Sequence, residues 1–376
     1  MPLLNLDERG NFSMEQKPQK THHLMNSIKL AFYARVALIL HGIALLLLFM
    51  YLGKSIFIPL FFAFLVAILL HPFVLWLEKL HIPRAVAAII AVLIFLACIG
   101  GLIYFFSHQV IRFSKDLPHL QQRISTKLQG VQDWVSDKYN IDDSAQINYV
   151  TKSANGFTNA AVNSIATTFV GMIRVVVLSI FFFIFTFFIL FHRRLLMRFL
   201  LALFNPGHSK RVQAVVLEVN KVMKNYVLGL LTEMLILGII IFASLSIMGI
   251  KYALLMAVMA GILNIIPYLG IYSALFISML ITLANGTAPQ VLGIGIVFIA
   301  AHFVDANIIL PRIVGGRVKL NPLITIIAVL IGNLLWGIPG MFLFIPLIAI
   351  FRIISEEVED LKPWSILIGE EKKEHF

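Results

Sequence analysis

The fold is decided by two apolar stretches, ALLMAVMAGILNIIPYLGIYSALFISMLITLA (residues 253–284) and LNPLITIIAVLIGNLLWGIPGMFLFIPLIAIFR (residues 320–352). Glycine and proline interrupt each one near its middle, at NIIPYLG (264–270) and at WGIPG (336–340). An unbroken helix of this length would extend about 50 Å, well beyond the ~30 Å of a hydrocarbon core. We therefore interpret each stretch as two helical arms that turn at the break, a pattern that in transporters points to the binding site.

The composition is that of an integral membrane protein. Hydrophobic residues make up 60% of the chain, charged residues only 13%, and the mean hydropathy is +0.92. The net charge of +11 is concentrated in loops beside apolar runs, where it orients spans and contacts anionic lipid, so no nucleic-acid partner is predicted. The single cysteine, Cys98, excludes an internal disulfide.

The distribution of apolar runs predicts eight segments. They are a cytoplasmic N-terminal tail (1–35), a scaffold of three spans (36–106), an extracytoplasmic helical insertion (107–167), a fourth span (168–191), a cytoplasmic basic loop with an amphipathic helix (192–225), a fifth span with the first broken segment (226–284), a sixth span with the second broken segment (290–352), and a cytoplasmic C-terminal tail (353–376).

The charges predict how these segments are oriented. Residues 192–225 carry seven lysines and arginines against one acid, Glu218, which places this loop in the cytoplasm; the basic loop 311–319 follows the same rule. The first broken segment then starts and ends outside, and the second starts and ends inside. This predicts two re-entrant or broken hairpins in an inverted repeat, supported by the shared pattern Ala-Val-x-x-Gly at 257–261 and 328–332.

The candidate site residues lie in the two halves of this repeat. Glu233 and Asp305 are the only acids between residues 226 and 352, and an ionisable group at membrane depth is costly enough to suggest function. We expect a proton, cation or polar substrate site; the alternatives are a structural hydrogen bond for the acids and close helix packing for the glycines. The remaining candidates are His302 and Asn307 beside Asp305, then Asn264, Pro267, Gly270, Asn333, Gly337, Pro339 and Gly340 at the breaks.

Several enzyme signatures are absent from the sequence. It contains no HExxH, no GxGD, no P-loop and no G-x-S-x-G, so we expect no enzyme, no metal-ligand set and no cofactor other than a coupling ion, H⁺ or Na⁺.

Three stretches resemble a known family: NIIPYLG (264–270), DANIILPRIVGGRVKLNPL (305–323) and LLWGIPGMFLFIPLIAIFR (334–352) are similar to those of the autoinducer-2 exporter family. The predicted cytoplasmic helix that leads into YVLG (226–229) is similar to the same family. The resemblance covers most of the chain from residue 209 onward and implies export of small molecules, with autoinducer-2 as the eponym. Some relatives are described as sodium or lithium/proton antiporters.

These observations together predict an all-α integral membrane protein with about six full spans, the two broken hairpins and the small insertion. The expected function is secondary transport that exports a small polar molecule, similar to autoinducer-2 as the resemblance implies, by alternating access at the two broken hairpins. The alternatives are a Na⁺(Li⁺)/H⁺ antiporter and a non-transporting membrane scaffold or regulator. We expect a bacterial cytoplasmic membrane, cytoplasmic termini, contact with lipid, and a homo-oligomer.

Overall fold

The computed structural model describes residues 32–139, 179–266, 270–310, 312–313 and 320–370; of residues 32, 35, 114–139, 284 and 285 it describes the backbone only. Within these ranges the chain is helical and contains no extended strand. The helices are α1 (Phe32–Leu52), α2 (Lys54–Lys79), α3 (Arg84–Tyr139), α4 (Ser179–Ala202), α5 (Ser209–Ile247), α6 (Ala253–Leu263), α7 (Gly270–Asn285), α8 (Ala288–Val304), α9 (Pro322–Trp336), α10 (Ile338–Glu357) and α11 (Lys362–Ile368).

Six helices among the described residues are long and apolar enough to cross a membrane. They are the apolar parts of α2, α3 (Arg84–Phe113), α4, α5, α8 with its extension to Ile309, and α10. The prediction of an all-helical, multi-span protein is thus confirmed. The six differ from the predicted set, because α10 has spanning length while the apolar part of α1, Val36–Leu52, is shorter than the others.

Two predicted boundaries are absent from the structure. α3 continues without interruption past residue 106, so the described start of the insertion is an extension of the third span. α5 likewise runs through Tyr226 as one helix of 39 residues, although the sequence predicts a surface helix followed by a span. The change from polar to apolar composition marks where a helix enters lipid, and nothing in it breaks the backbone hydrogen bonds. Residues 140–167 of the insertion lie outside the described residues.

The chain divides into a first unit ending at Phe49, which holds most of α1, and a second unit from Met50 onward. The second unit contains an apolar cluster formed by α5, α6, α7 and α8, centred on fully buried residues such as Leu237, Ile241, Met256 and Ile294. Another cluster joins α2, α3 and α4 through small and aliphatic side chains; its members include Ala67, Val74, Ala87, Ala91 and Leu190.

The structure interrupts both apolar stretches where the sequence predicts a break. α6 ends at Leu263, the chain turns at Asn264, and α7 begins at Gly270. The second break is a single residue, Gly337, with φ 66° and ψ −145°. Only glycine adopts this conformation readily, which explains a sharp turn between α9 and α10. The re-entrant geometry and the opposite facing of the two hairpins stay predictions.

Candidate functional site

One buried face of α5 brings Glu233 into the core. Its buried residues recur every three or four positions, so they form a continuous stripe along the helix. Glu233 is only 4% exposed and stands between Gly229 and Leu237 on this stripe. The sequence of an otherwise apolar face therefore delivers a single carboxylate to the packed interior of the second unit.

The first break brings Asn264 to the same place. Asn264 caps the end of α6, where its backbone N–H still donates to the carbonyl of Ala260 at 2.9 Å. A Cβ at Gly270 would collide with the carbonyl of Leu263, so α7 starts as close to the end of α6 as a residue without a side chain allows. Gly270 thus positions the turn by permitting close approach.

Asp305 lies where α8 changes its geometry. Residues Asp305–Ile309 continue α8 as a π-helical turn, in which hydrogen bonds span five residues instead of four. Asp305 is 4% exposed. Such turns are found at functional sites because they rotate side chains out of the regular helical register.

Asn264 joins the two carboxylates. Its side-chain amide donates to Glu233 Oε1 at 2.9 Å and to Asp305 Oδ2 at 3.2 Å. Because both oxygens bond the same nitrogen, they lie within about 6 Å of each other. The second oxygens, Glu233 Oε2 and Asp305 Oδ1, are buried and make no hydrogen bond with any described residue. Two acids and one donor therefore leave acceptor capacity for a proton or a cation.

His302 lies one turn before Asp305 on the same helix, as the sequence predicts. Its ring packs edge-on against Tyr272 of α7, with centroids 5.3 Å apart. Its Nδ1 is buried and makes no hydrogen bond with the described part of the chain. His302 thus joins α8 to the start of α7 beside the carboxylate pair.

Two of the predicted amides lie elsewhere. Asn307 is exposed, and its Nδ2 donates to the carbonyl of Phe303 at 2.8 Å on its own helix. Asn333 is also exposed. Pro267 lies outside the described residues.

The second break makes a different set of contacts. The Trp336 indole N–H donates to the carbonyl of Met50 at 2.9 Å, and its ring packs on Phe57 and Phe61 of α2. A Cβ at Gly340 would collide with the Gly332 carbonyl, so the arms α9 and α10 touch through their backbones. Gly337 makes the turn, and Pro339 lies in the first turn of α10, where its missing N–H costs nothing. Trp336 and Gly340 thus pack this break on α2 and on α9, and a role of the break in binding stays a prediction.

The broken helices and the buried acids lie in a part of the chain that matches a known family. A family described as "AI-2E family transporter" matches residues 40–360. The chain belongs to the AI-2E transporter family. The match covers both broken segments and all three residues of the Glu233–Asn264–Asp305 cluster.

Relatives of this AI-2E family chain occur in distant bacteria. The chain is similar to YrrI of Bacillus subtilis (strain 168), 25% identical over 309 residues, which are 80% of this chain and 86% of YrrI. It is similar to YhhT of Escherichia coli (strain K12), 27% identical over 323 residues, 84% of this chain and 89% of YhhT. A third relative, MT0215 of Mycobacterium tuberculosis, is 26% identical over 308 residues, 80% of this chain and 82% of MT0215. All three are named as candidate transport proteins.

Sequence reasoning about this AI-2E family chain missed Tyr272 and Trp336 as partners of the candidate site and of the second break. A signal existed for each. Trp336 precedes Gly337 directly, and a buried indole N–H ordinarily finds a hydrogen-bond partner. Tyr272 is exposed, and its only signal is its place two residues after Gly270.

Proposed function

We propose that this protein is a secondary transporter that exchanges a monovalent cation for protons at Glu233 and Asp305. The single observation that carries the proposal is the Asn264 bridge between two buried carboxylates. A neutral solute has no need of two acids, whereas a proton or Na⁺ between them removes the repulsion of like charges in a medium of low dielectric constant.

The geometry supports exclusive binding of one ion at a time. Asn264 occupies one oxygen of each carboxylate, which leaves Glu233 Oε2 and Asp305 Oδ1 for the ligand. Carboxylate oxygens suit hard cations, and the same oxygens accept a proton. A cation and a proton therefore compete for the same atoms, and that competition is the physical basis of exchange.

Alternating access would act through the first break. The pair is held by three elements: α5, the end of α6 and the π-helical turn after α8. A change of its charge alters both hydrogen bonds of Asn264, and with them the position of the α6–α7 break relative to α5 and α8. Inverted repeats supply transporters with two nearly equivalent conformations of this kind.

The test uses the purified full chain in liposomes loaded with a pH-sensitive dye. An imposed Na⁺ or Li⁺ gradient should drive proton movement, and Asp305→Asn and Glu233→Gln should each abolish it. Glu218→Gln and Asp360→Asn are the matched controls, because both acids are exposed and Glu218 lies on the same helix as Glu233. Both controls should exchange at the wild-type rate.

The outcome that overturns cation exchange is proton movement that no monovalent cation gradient changes. Flux that persists unchanged in Asp305→Asn would equally remove the pair from the mechanism. A complete absence of flux of any solute, together with tight binding to a partner protein, would instead favour a membrane scaffold or regulator.

Export of a small polar molecule such as autoinducer-2 is the second candidate function. The observation that favours it is the description of the family that matches residues 40–360. Efflux of autoinducer-2 from loaded liposomes, measured with and without a proton gradient, tests it directly. Efflux that needs the gradient and is lost in Asp305→Asn would make the carboxylate pair the coupling site for an organic substrate.

The proposed setting is the cytoplasmic membrane of a bacterium, with both termini in the cytoplasm and the chain assembled as a homo-oligomer. The basic loop of residues 192–225 supports the orientation. The many large apolar side chains exposed on α1 and α3, such as Leu45, Phe49 and Ile103, support contact with lipid or with further copies.

A further inference from the structure

One face of α7 carries an unusual run of small and hydroxylic residues. They recur at every fourth position, from the first break to the residue that follows the end of α7: Gly270, Ala274, Ser278, Thr282 and Gly286. Residues four apart lie on the same side of a helix, so this stripe follows α7 along its length. The stripe begins next to Asn264, where a Cβ at Gly270 would meet the Cα of that residue.

Two hydroxyls on this stripe are buried and have no hydrogen-bond partner. Ser278 is 0% exposed and Thr282 is 3% exposed, and neither Oγ of Ser278 nor Oγ1 of Thr282 bonds to any residue that the structure describes. Serine and threonine in helices ordinarily donate to the carbonyl four residues earlier, as Thr232 and Ser244 do on α5. A buried hydroxyl without a partner costs about 1–3 kcal/mol, so two on one stripe call for an explanation.

The buried residues beside the two hydroxyls on α7 are apolar. Ala274 and Ile281 of α7 belong to the apolar cluster that this helix shares with α5 and α8, which also includes the fully buried Ile241 of α5 and the buried Phe298 of α8. Hydroxyls in such a cluster gain nothing in the packed state. They would gain partners if the helices separated and a polar ligand entered.

Position along α7 connects the hydroxyls to the carboxylate pair. With a rise of 1.5 Å per residue, Ser278 lies about 12 Å and Thr282 about 18 Å along the helix from Gly270. α8 returns from the far end of α7 to Asp305, and Tyr272 contacts His302 where the two helices reach the pair. The stripe therefore runs from the pair to the α7–α8 turn at residues 286–287.

We propose that the Ser278–Thr282 face of α7 lines the pathway by which the cation reaches Glu233 and Asp305 from the α7–α8 turn, and that the two hydroxyls coordinate the ion in transit. The structure has this pathway closed by the apolar cluster. The inference rests on the proposed exchange at the carboxylate pair. It adds the route of the ion and two further ligands, the hydroxyls of Ser278 and Thr282.

The first experiment measures access and needs no flux. In a Cys98→Ala background, Ser278→Cys and Thr282→Cys are reacted with a membrane-impermeant methanethiosulfonate reagent in the presence and absence of Na⁺. Thr287→Cys, at the exposed turn, is the positive control, and Phe276→Cys, 64% exposed on the opposite side of α7, is the control for a lipid-facing position. Both pathway positions should react about tenfold or more faster than position 276, and position 282 should react before position 278.

The second experiment measures the hydroxyls themselves. Thr282→Val keeps the shape of the side chain and replaces the hydroxyl with a methyl group; because that hydroxyl makes no hydrogen bond with the described residues, the variant should be at least as stable as the wild type. Cation-driven proton movement should nevertheless slow about fivefold, since one ligand of the ion is lost. Thr232→Val, on the exposed side of α5, is the matched control and should exchange normally.

Failure of this inference and failure of the proposed function give different results. Absence of labelling at positions 278 and 282 in every condition, with position 287 labelled and exchange intact, overturns the pathway and leaves the exchange. Normal exchange in Thr282→Val removes the hydroxyl as a ligand. Labelling of both positions in a protein that exchanges no cation keeps the pathway and overturns the proposed exchange.

Discussion

Asn264 and Asp305 are 41 positions apart in the chain, yet the amide of one donates to the carboxylate of the other at 3.2 Å. The same amide nitrogen donates to Glu233 at 2.9 Å. A helix break and a π-helical turn, each a departure from regular geometry, are thus joined through one side chain. Irregular backbone and buried charge therefore coincide at a single point of this fold, as is common at functional sites.

The bridge predicts strong energetic coupling between Asn264 and Glu233. Asn264→Ala and Glu233→Gln should each change the free energy of unfolding. The change in the double variant should differ from the sum of the two single changes by about 1–3 kcal/mol, because both variants remove the same hydrogen bond to a carboxylate. Thermal unfolding in detergent measures this. Asn264→Ala combined with Glu218→Gln is the control and should be additive, since Glu218 lies at the exposed start of α5. Additivity in the Glu233 pair would contradict the bridge.

The contact between Gly332 and Gly340 predicts that the second break tolerates no added methyl group. In Gly340→Ala the new Cβ would collide with a backbone carbonyl, and overpacking of this kind costs about 1–3 kcal/mol. The melting temperature should fall accordingly. Gly101→Ala is the control: nothing lies within 4 Å of a Cβ at that helical position, so the change should be neutral or stabilising by up to about 1 kcal/mol. An unaffected Gly340→Ala would mean that the arms do not touch.

The ion pair between Arg193 of α4 and Glu78 of α2 predicts that loss of the arginine charge lowers the stability of the protein. Arg193 Nη2 contacts both carboxylate oxygens of Glu78, at 2.7 and 2.5 Å, and each side chain is less than a fifth exposed. Arg193→Ala should therefore destabilise the protein by about 1–3 kcal/mol, while the exposed neighbour Arg194→Ala should change little. The exchanged pair Glu78→Arg with Arg193→Glu should recover part of the loss; equal effects at 193 and 194 would rule the pair out as a contributor.

The charge pattern predicts which ends of the helices face outward. In a Cys98→Ala background, cysteines at Lys251 and Thr287 should react with an impermeant thiol reagent added outside intact cells, and a cysteine at Arg194 should react only after the membrane is opened. The reason is the excess of lysine and arginine in residues 192–225. Reaction of position 194 from outside, or protection of position 251, would rule out the predicted orientation and with it the inverted repeat.

Much of the candidate site could be predicted from the sequence because single residue types carried the information. Gly337 marks a turn that other residues adopt only with strain, and a carboxylate in an apolar run, such as Glu233 or Asp305, has few roles at membrane depth. Asn264 of the first break and Asp305 are both candidates from the sequence, and the structure joins them by a hydrogen bond.

The rest depended on information that local sequence does not hold. Asn307 follows Asp305 by two positions, so the two side chains lie on different sides of the helix, and the sequence alone does not show which one is buried. Local sequence does not show that α5 is continuous through Tyr226, because a change from polar to apolar composition looks the same within one helix as between two. The role of Gly340 was decided by a carbonyl eight residues away, since a glycine needed for flexibility and one needed for close packing look alike in sequence.

The contact of Gly332 with Gly340 differs in kind from the contacts that hold the first break. It is a fit of uncharged backbone, so neither a proton nor a cation arriving at the carboxylate pair changes its strength. The turn at Asn264, in contrast, is held by two bonds to ionisable groups. If Glu233 and Asp305 bind the ion as proposed, its arrival would change the hydrogen bonds that hold the α6–α7 turn and would leave the uncharged contact between α9 and α10 as it is.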